Sequence, residues 1–280
     1  VRYLAVTSFV FNANRSKYLC RISKDITLEK EKQEREKEIE IMQKTAKAKD
    51  LFMDNMSHEM RTPLGGIIGM TDILLNTRMN AQQTDMLKIV KESSDSLLEL
   101  ISNIHELSRL EASGVVLQQK PFRLQVMMEK IISIFKASAM QKSIELVLTN
   151  HTQSNVRVVG DEFRLRQVIG NLVGNALKFT PPGGKVELTV DAQPIDDKTM
   201  ELKFDIKDTG IGIEENKIPF MFEKFVQADS SYTREYEGVG IGLSICRELI
   251  RLMGGDIGVE SQHRKGSVFW IKVCLAFQDD

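Results

Sequence analysis

The sequence predicts two folded parts in series: a helical hairpin that pairs with a second copy into a dimeric four-helix bundle, then an α/β sandwich with a mixed sheet. Three observations carry this. A charged stretch from Leu28 to Lys49, free of Gly and Pro, runs into a helical apolar pattern. A single break at Asn76 to Asn80 divides that pattern into two helices. After Ser113-Gly114 the texture changes to strands alternating with helices, some strands joined by hairpins.

The bulk properties bound the chemistry. With 280 residues, 42% of them hydrophobic and 28% charged, the chain is long enough for two domains and a substantial core. A net charge of -1, from 38 basic and 39 acidic side chains, leaves no global field to draw nucleic acid or an anionic membrane. The three cysteines, Cys20, Cys246 and Cys274, are odd in number and scattered, as expected for reduced structural thiols in a cytosolic setting and not for a disulfide or zinc framework. No run of about 18 apolar residues occurs, and no charged-then-apolar start resembles a signal peptide. The chain therefore reads as the cytosolic piece of a longer sensor, attached to a membrane only through parts outside it.

Two β-like runs, Tyr3 to Phe11 and Tyr18 to Thr27, flank Asn12-Ala13-Asn14-Arg15 and predict a hairpin. Two strands cannot fold alone, so this hairpin needs further partners. Its end, Ser23-Lys24-Asp25-Ile26-Thr27, resembles the last strand of a PAS sensor domain, where an Asp-Ile-Thr tripeptide leads into a helix. Leu28 to Lys49 is then a solvated helix with sparse apolar positions at Leu28, Ile39, Met42 and Ala46, read as a linker or parallel coiled coil. The helix continues through Leu51, Met56, Leu64, Ile68 and Leu75, and the second runs from Gln82 to about Glu111. On that second helix Leu87, Val90, Ser94, Leu97, Ile101, Ile104 and Leu107 recur at helical spacing, more than one hairpin can bury, which predicts the homodimer.

The second part is expected to contain a strand near Val115 to Lys120, a helix Leu124 to Lys142 and a strand Ser143 to Asn150. A helix Glu162 to Phe179 follows, then strands Lys185 to Ala192 and Met200 to Asp208. A helix Gly242 to Met253 and strands near Asp256 to Ser261 and Ser267 to Ala276 close it.

Chemistry concentrates first in Ser57-His58-Glu59-Met60-Arg61-Thr62-Pro63-Leu64. The i,i+4 spacing puts His58 and Thr62 on one helix face. A neutral imidazole nitrogen is a competent nucleophile, and the neighbouring Glu59 carboxylate can hold the other N–H and accept its proton. Pro63 inside a helix removes a hydrogen bond and favours a bend. One histidine on a helix is ordinarily structural, but the whole string resembles the H-box of HisKA-type histidine kinases of two-component systems, with every fixed position filled. The resemblance implies that His58 is the phosphorylation site and Glu59 the base. It also implies that Thr62 helps position water for dephosphorylating a response regulator. Gly65 stands where the family commonly has Asn, and Gly66 follows, so the helix is expected to loosen by about 1 kcal/mol per glycine relative to Ala. His105, His151 and His263 lie far apart without metal-ligand spacing.

A second set of residues suits a nucleotide. Asp208-Thr209-Gly210-Ile211-Gly212 ends a strand with a carboxylate and lets the backbone approach a flat ligand. Glu237-Gly238-Val239-Gly240-Ile241-Gly242-Leu243 leads alternating glycines into a helix start, whose N–H groups suit phosphate oxygens. On the helix from Arg164, Asn171, Asn175 and Lys178 share one face, while Leu165, Val168, Ile169 and Leu172 cover the other. Carboxamide oxygens can ligate Mg²⁺ beside phosphates, and Lys178 can neutralise phosphate charge.

These elements resemble the N, G1 and G2 boxes of the GHKL (Bergerat) ATP-binding fold, and Phe222-Glu223-Lys224-Phe225 resembles its F box. The resemblance implies ATP and Mg²⁺ as cofactors. Asn175 would hold Mg²⁺, and Asn171 and Lys178 would meet phosphates. Asp208 would receive the adenine amino group, with Gly210 and Gly212 in the base pocket. Gly238, Gly240 and Gly242, with Leu243 and Phe225 beside them, would complete the ATP site, and residues 227 to 237 would close as a lid. Glu237 and Val239 depart from the family pattern without removing a backbone N–H.

The expected organisation is a PAS-like remnant over 1–27, a coiled-coil linker over 28–50, a dimerisation and phosphotransfer domain over 51–112 and an ATP-binding domain over 113–280. The expected function is a sensor protein-histidine kinase that autophosphorylates His58 and passes the phosphoryl group to an aspartate of a response-regulator receiver domain, with regulator phosphatase activity besides. A GHKL ATPase machine is the alternative that the H-box argues against. A pseudokinase scaffold is the one that the complete nucleotide elements argue against.

Overall fold

The computed structural model describes residues 3–13, 16–111, 115–152, 156–224, 226 and 240–278. Two compact units result, Val1–Met56 and Ser57–Asp280. In the first, β1 (Leu4–Ala13) and β2 (Ser16–Asp25) pair antiparallel along their length, with Phe9 opposite Cys20 and Thr7 opposite Ile22. The expected hairpin is present, and Asn14 and Arg15 of its turn lie outside the described residues. Val6, Val10, Leu19 and Ile22 are each more than half exposed, as a two-stranded sheet dictates.

The second strand ends at Asp25 instead of Thr27, because Thr27 is already the start of helix α1 (Thr27–Leu75). The Asp25 carboxylate accepts the Thr27 amide at 3.0 Å and the Thr27 hydroxyl proton at 2.6 Å, which caps the helix instead of extending the ladder. Those bonds hold the Asp25 carboxyl below the usual carboxylate range. The Thr27 hydroxyl in turn accepts from the Tyr3 amide at 2.9 Å, and Ile26 donates to the Tyr3 carbonyl at 2.9 Å. Strand pairing and helix initiation therefore share one residue.

In the second unit α1 continues through Pro63 to Leu75 and is followed by α2 (Ala81–Glu111). The link is closed by a reciprocal cap: the Asn80 side chain accepts from the Gln83 amide at 2.8 Å, and the Gln83 side chain accepts from the Asn80 amide at 3.1 Å. Ser57, Leu64 and Thr71 form a buried stripe of α1 at seven-residue spacing, and Ser94, Ile101 and Ser108 do so on α2. Asp72 and Lys91 join the helices in an ion pair. Outside the stripes Ile67, Met70 and Ile73 on α1, with Met86, Ile89 and Leu97 on α2, remain exposed.

The α/β part begins with β3 (Lys120–Arg123) and α3 (Leu124–Gln141). The strand expected at Val115 to Lys120 is displaced: residues 115–119 belong to no strand. Val116 is 88% exposed, and the Gln118 amide donates to the Asp161 carboxylate at 3.0 Å, a side-chain partner that holds the segment without a ladder. After α3, Ser143 turns in the left-handed region (φ 55°), so β4 starts later than expected, at Glu145, and ends at Asn150. A strand unseen in the sequence, β5 (Arg157–Gly160), pairs with β3. It is only four residues long, too short for alternation to mark it.

Then follow α4 (Glu162–Phe179), β6 (Lys185–Pro194), β7 (Thr199–Asp208), a 3₁₀ turn at Ile218–Phe220, α5 (Gly242–Leu252), β8 (Asp256–Gln262) and β9 (Gly266–Gln278). Seven strands form one sheet in the order β3-β5-β9-β7-β6-β4, with β8 paired to β9. Only β4 and β6 run parallel, which makes the sheet mixed. The helices cover one face. Leu202, Phe204 and Ile206 of β7 meet Leu165, Ile169 and Leu172 of α4 and Leu249 and Ile250 of α5 in one buried core.

The other sheet face alternates charge, with Lys203 bonded to Asp205 at 2.7 Å. Trp270, opposite Asp205 on this face, lies over Gly258, where a Cβ would come within 2.2 Å of its ring. The end of α2 joins the helical side: Leu107 and Leu110 are buried in the same core. Glu106 takes Arg164 in an ion pair and accepts from Gln167 at 2.6 Å.

Two outcomes follow from packing. A Cβ added at Gly65 or Gly66 meets nothing within 4 Å. Gly65→Ala and Gly66→Ala are each expected to stabilise the helix by about 0.5–1 kcal/mol, read as a raised Tm in thermal unfolding. Cys246 is buried and its thiol is pushed up to about 12, whereas Cys274 is exposed and Cys20 half-buried. Thiol titration of the native protein is expected to modify Cys274 and Cys20 and to reach Cys246 only after unfolding.

Candidate functional site

The residues singled out in the sequence fall on two sets of elements. On α1, His58, Glu59 and Thr62 are all exposed while Ser57 and Leu64 beside them are buried, so the buried stripe turns His58 outward. Thr62 sits one turn on and donates its hydroxyl proton to the His58 carbonyl at 3.2 Å. That bond goes to the backbone and leaves the imidazole free of it. Pro63 has no N–H to give the carbonyl four residues back, that of Glu59, so the ladder is locally thinned beside the histidine.

The second set is built around α4. Asp161 caps this helix, accepting from the Arg164 amide at 3.0 Å. Leu165, Val168, Ile169, Leu172, Val173, Ala176 and Leu177 bury one side in the core, which leaves Asn171, Asn175 and Lys178 on the other. The Asn175 side-chain nitrogen Nδ2 donates to the Asn171 side-chain oxygen Oδ1 at 3.1 Å. The Asn175 oxygen is thereby the acceptor left over, a hard donor of the kind Mg²⁺ takes together with phosphate oxygens and water. Among the described residues no three His, Cys, Asp or Glu side chains gather as a metal cage, so a divalent cation here would rely on Asn175 and on its ligand. Lys178 is half-buried, and burial pushes its ammonium below the usual lysine range against the opposing field of the Glu99 carboxylate. Its Nζ lies 5.5 Å from the centre of the Phe179 ring.

Glycines bring the other walls close. Gly242 opens α5 directly against Asn171, whose amide would be 2.9 Å from an added Cβ. Gly240 has φ +71° and lies against the Val226 carbonyl, 2.5 Å from an added Cβ. Leu243 is partly buried and packs on the core, which seats the first turn of α5. At the end of β7 the Asp208 carboxylate is buried, with 6% exposure. One of its oxygens accepts from the Gly210 amide at 2.7 Å and from the Ser267 amide at 3.3 Å. The other oxygen takes no hydrogen bond among the described residues. Burial raises the Asp208 carboxyl above its usual value, and the two N–H bonds pull it back. Gly210 approaches the Phe179 carbonyl, and Gly212, at φ +65°, approaches the Gln262 carbonyl, so a side chain at either place would collide with backbone.

Asn171, Asn175, Asp208, Gly210, Gly240 and Gly242 are therefore linked through α4, the end of β7 and the start of α5. His58, Glu59 and Thr62 stand on a different element. Phe225, Gly238 and the expected lid over 227 to 237 lie outside the described residues, as do Glu237 and Val239. The strands expected near Asp256 to Ser261 and Ser267 to Ala276 are present, but the hold that the turn between them has on Asp208 was missed in the sequence. Ser267 holds Asp208, and Gly266 (φ +106°) lets its strand pass the Asp208 carbonyl, 2.0 Å from an added Cβ. A Gly-Ser pair just after a polar turn was the available signal.

Comparison with known proteins agrees with this geometry. Residues 48–113 match the His Kinase A (phospho-acceptor) domain, and residues 160–276 match the histidine kinase-, DNA gyrase B-, and HSP90-like ATPase. The signal transduction histidine-protein kinase BarA of Escherichia coli K12 is 39% identical over 233 residues, covering 83% of this chain and 25% of that protein. The sensor histidine kinase GacS of Pseudomonas protegens is 40% identical over 230 residues, covering 82% of this chain and 25% of that protein. The chain thus spans about a quarter of the length of these relatives. Among solved structures, full-length ShkA in complex with AMPPNP superposes with a TM-score of 0.66 at 33% identity, over 81% of this chain and 46% of that one. With a phosphoacceptor helix pair ahead of a histidine kinase-type ATPase fold in one polypeptide, the chain belongs to the sensor histidine kinases.

Proposed function

We propose that this chain autophosphorylates His58 from ATP and passes the phosphoryl group to an aspartate of a response-regulator receiver domain. The observation that carries the reading is an exposed His58, flanked by Glu59 and Thr62, in a chain that also holds a linked amide, carboxylate and glycine site. A ring nitrogen of His58 attacks the γ-phosphorus in line, the bond to the ADP oxygen breaks, and Glu59 takes the proton from the other ring nitrogen. Asp208 accepts the adenine amino group on its free oxygen. Asn171 and Lys178 hold phosphates, and Asn175 holds Mg²⁺, which supplies charge neutralisation on the phosphates when bound. Gly210, Gly212, Phe225, Gly238, Gly240, Gly242 and Leu243 complete the nucleotide pocket.

The remaining assignments rest on the same reading. Exposed Ile67, Met70, Ile73, Met86, Ile89 and Leu97 on the helical hairpin support pairing with a second copy in a four-helix bundle. The domain limits follow as 51–112 for dimerisation and phosphotransfer and 113–280 for ATP binding, with 28–50 as the coiled-coil linker. The Asp25-Thr27 cap at the hairpin's end supports 1–27 as a PAS-like remnant. Thr62, one turn from His58, serves dephosphorylation of the regulator by positioning water. We place the chain in the cytosol, where ATP and receiver domains are found. No described helix is long and apolar enough to cross a membrane.

Incubation with ATP labelled at the γ-phosphate tests the proposal. Acid-labile, alkali-stable label is expected on the wild type and none on His58→Ala or Asn175→Ala, while His58→Ala keeps nucleotide binding. ATP turnover without protein labelling would point to an ATPase instead. Thr62→Ala is expected to keep label incorporation within about two-fold and to slow loss of phosphate from a phosphorylated receiver domain by about 10-fold or more.

A further inference from the structure

Ser261, on β8, is not among the site residues named above, yet its hydroxyl is committed three ways. It accepts from the Ile213 amide at 2.8 Å, lies 2.9 Å from the Ser267 hydroxyl, and donates to the Gly266 carbonyl at 3.0 Å. A serine hydroxyl has one proton and two lone pairs. With the proton given to Gly266 and one lone pair taken by Ile213, the second lone pair must receive the Ser267 hydroxyl proton. The count closes only with that direction, and it leaves Ser261 fully satisfied in a part-buried place.

The partners of Ser261 are the structural neighbours of the proposed base pocket. Ile213 ends the loop that contains Gly210 and Gly212. Ser267 donates its amide to the same Asp208 oxygen that the Gly210 amide meets. The turn between β8 and β9 adds two more holds on this loop: Arg264 donates its amide to the Ile211 carbonyl at 2.6 Å, and Gly212 packs against the Gln262 carbonyl. The loop is thus moulded on the β8–β9 turn, and the Ser261 side chain touches both the loop, through Ile213, and the strand that fixes Asp208, through Ser267.

We infer that Ser261 is a positioning residue for adenine recognition: it sets the separation between the Gly210–Ile213 loop and the Asp208 carboxylate, and so the selectivity of the pocket for an adenine over a guanine nucleotide. The inference rests on the nucleotide reading above. An adenine presents an amino group where guanine presents a carbonyl oxygen. A carboxylate oxygen held at fixed depth beside the loop accepts from the first and repels the second. Loss of the Ser261 hydroxyl leaves the Ile213 amide and the Ser267 hydroxyl without their acceptor, which frees both walls to drift.

The test compares wild type, Ser261→Ala and Ser261→Thr by isothermal titration calorimetry with ADP and GDP in the presence of Mg²⁺, alongside autophosphorylation kinetics and thermal unfolding. Ser261→Ala is expected to weaken ADP binding about 10-fold and GDP binding by less, which narrows the preference. KM for ATP is expected to rise with kcat within about two-fold, and Ser261→Thr, which keeps the hydroxyl, to restore both. Unchanged ADP affinity in Ser261→Ala would overturn the inference while leaving the nucleotide reading intact. So would equal losses for ADP and GDP accompanied by a lowered Tm, the mark of a merely structural residue. A wild type that binds neither nucleotide would overturn the nucleotide reading itself, and the inference with it.

Discussion

Burial of one side of α4 is the constraint on which the rest of this molecule depends. Leu165, Val168, Ile169, Leu172 and Val173 are almost wholly removed from water against the sheet and its neighbouring helices. Each such side chain contributes on the order of 1.5–3 kcal/mol, so together they fix the rotation of the helix about its own axis. Once that rotation is fixed, Asn171, Asn175 and Lys178 have only one direction to face. The polar site is thus a by-product of apolar packing. An error of one residue in the helical register would exchange core for site.

The same helix connects two other regions. Its first turns present Arg164 and Gln167 to Glu106 at the end of α2, and its last turns approach the Asp208 loop through the Phe179 carbonyl. Arg164, Gln167, Asn171, Asn175 and Lys178 follow one another at spacings that keep them on a single stripe. The contacts with α2 and the amide pair therefore lie on one side of one rigid element.

Much of this was legible in the sequence where a residue pattern repeats or a spacing repeats a chemical need. The α4 boundaries, Glu162 to Phe179, were readable because apolar positions recur at helical spacing and Asp161 precedes them as a cap. The place of Asp208 at a strand end was readable from the β-like run before it and from the Gly-x-Gly after it, where the backbone can turn sharply. Features built from long-range contacts were not. β5 has four residues and exists because β3 and β9 flank it. The segment at 115–119 opens on the β-like apolar run Val115-Val116-Leu117, but at Gln118 it is held by Asp161 from 43 residues away along the chain. The role of Ser261 depends on hydrogen bonds to Ile213 and Ser267, which nothing in the string around Ser261 announces. Local chemistry is written locally, whereas positioning is written in the packing.

Trp270, the single tryptophan of the chain, lies on the charged side of the sheet over Gly258, away from the face that α4 and α5 cover. Its four tyrosines aside, the protein therefore carries one strong intrinsic fluorophore, seated where it senses the β8–β9 ribbon and the Lys272 ammonium 5.9 Å from the centre of its ring. Its emission is a gauge of whether the back of the sheet is assembled, and it is insulated by the thickness of the core from events at the amide pair.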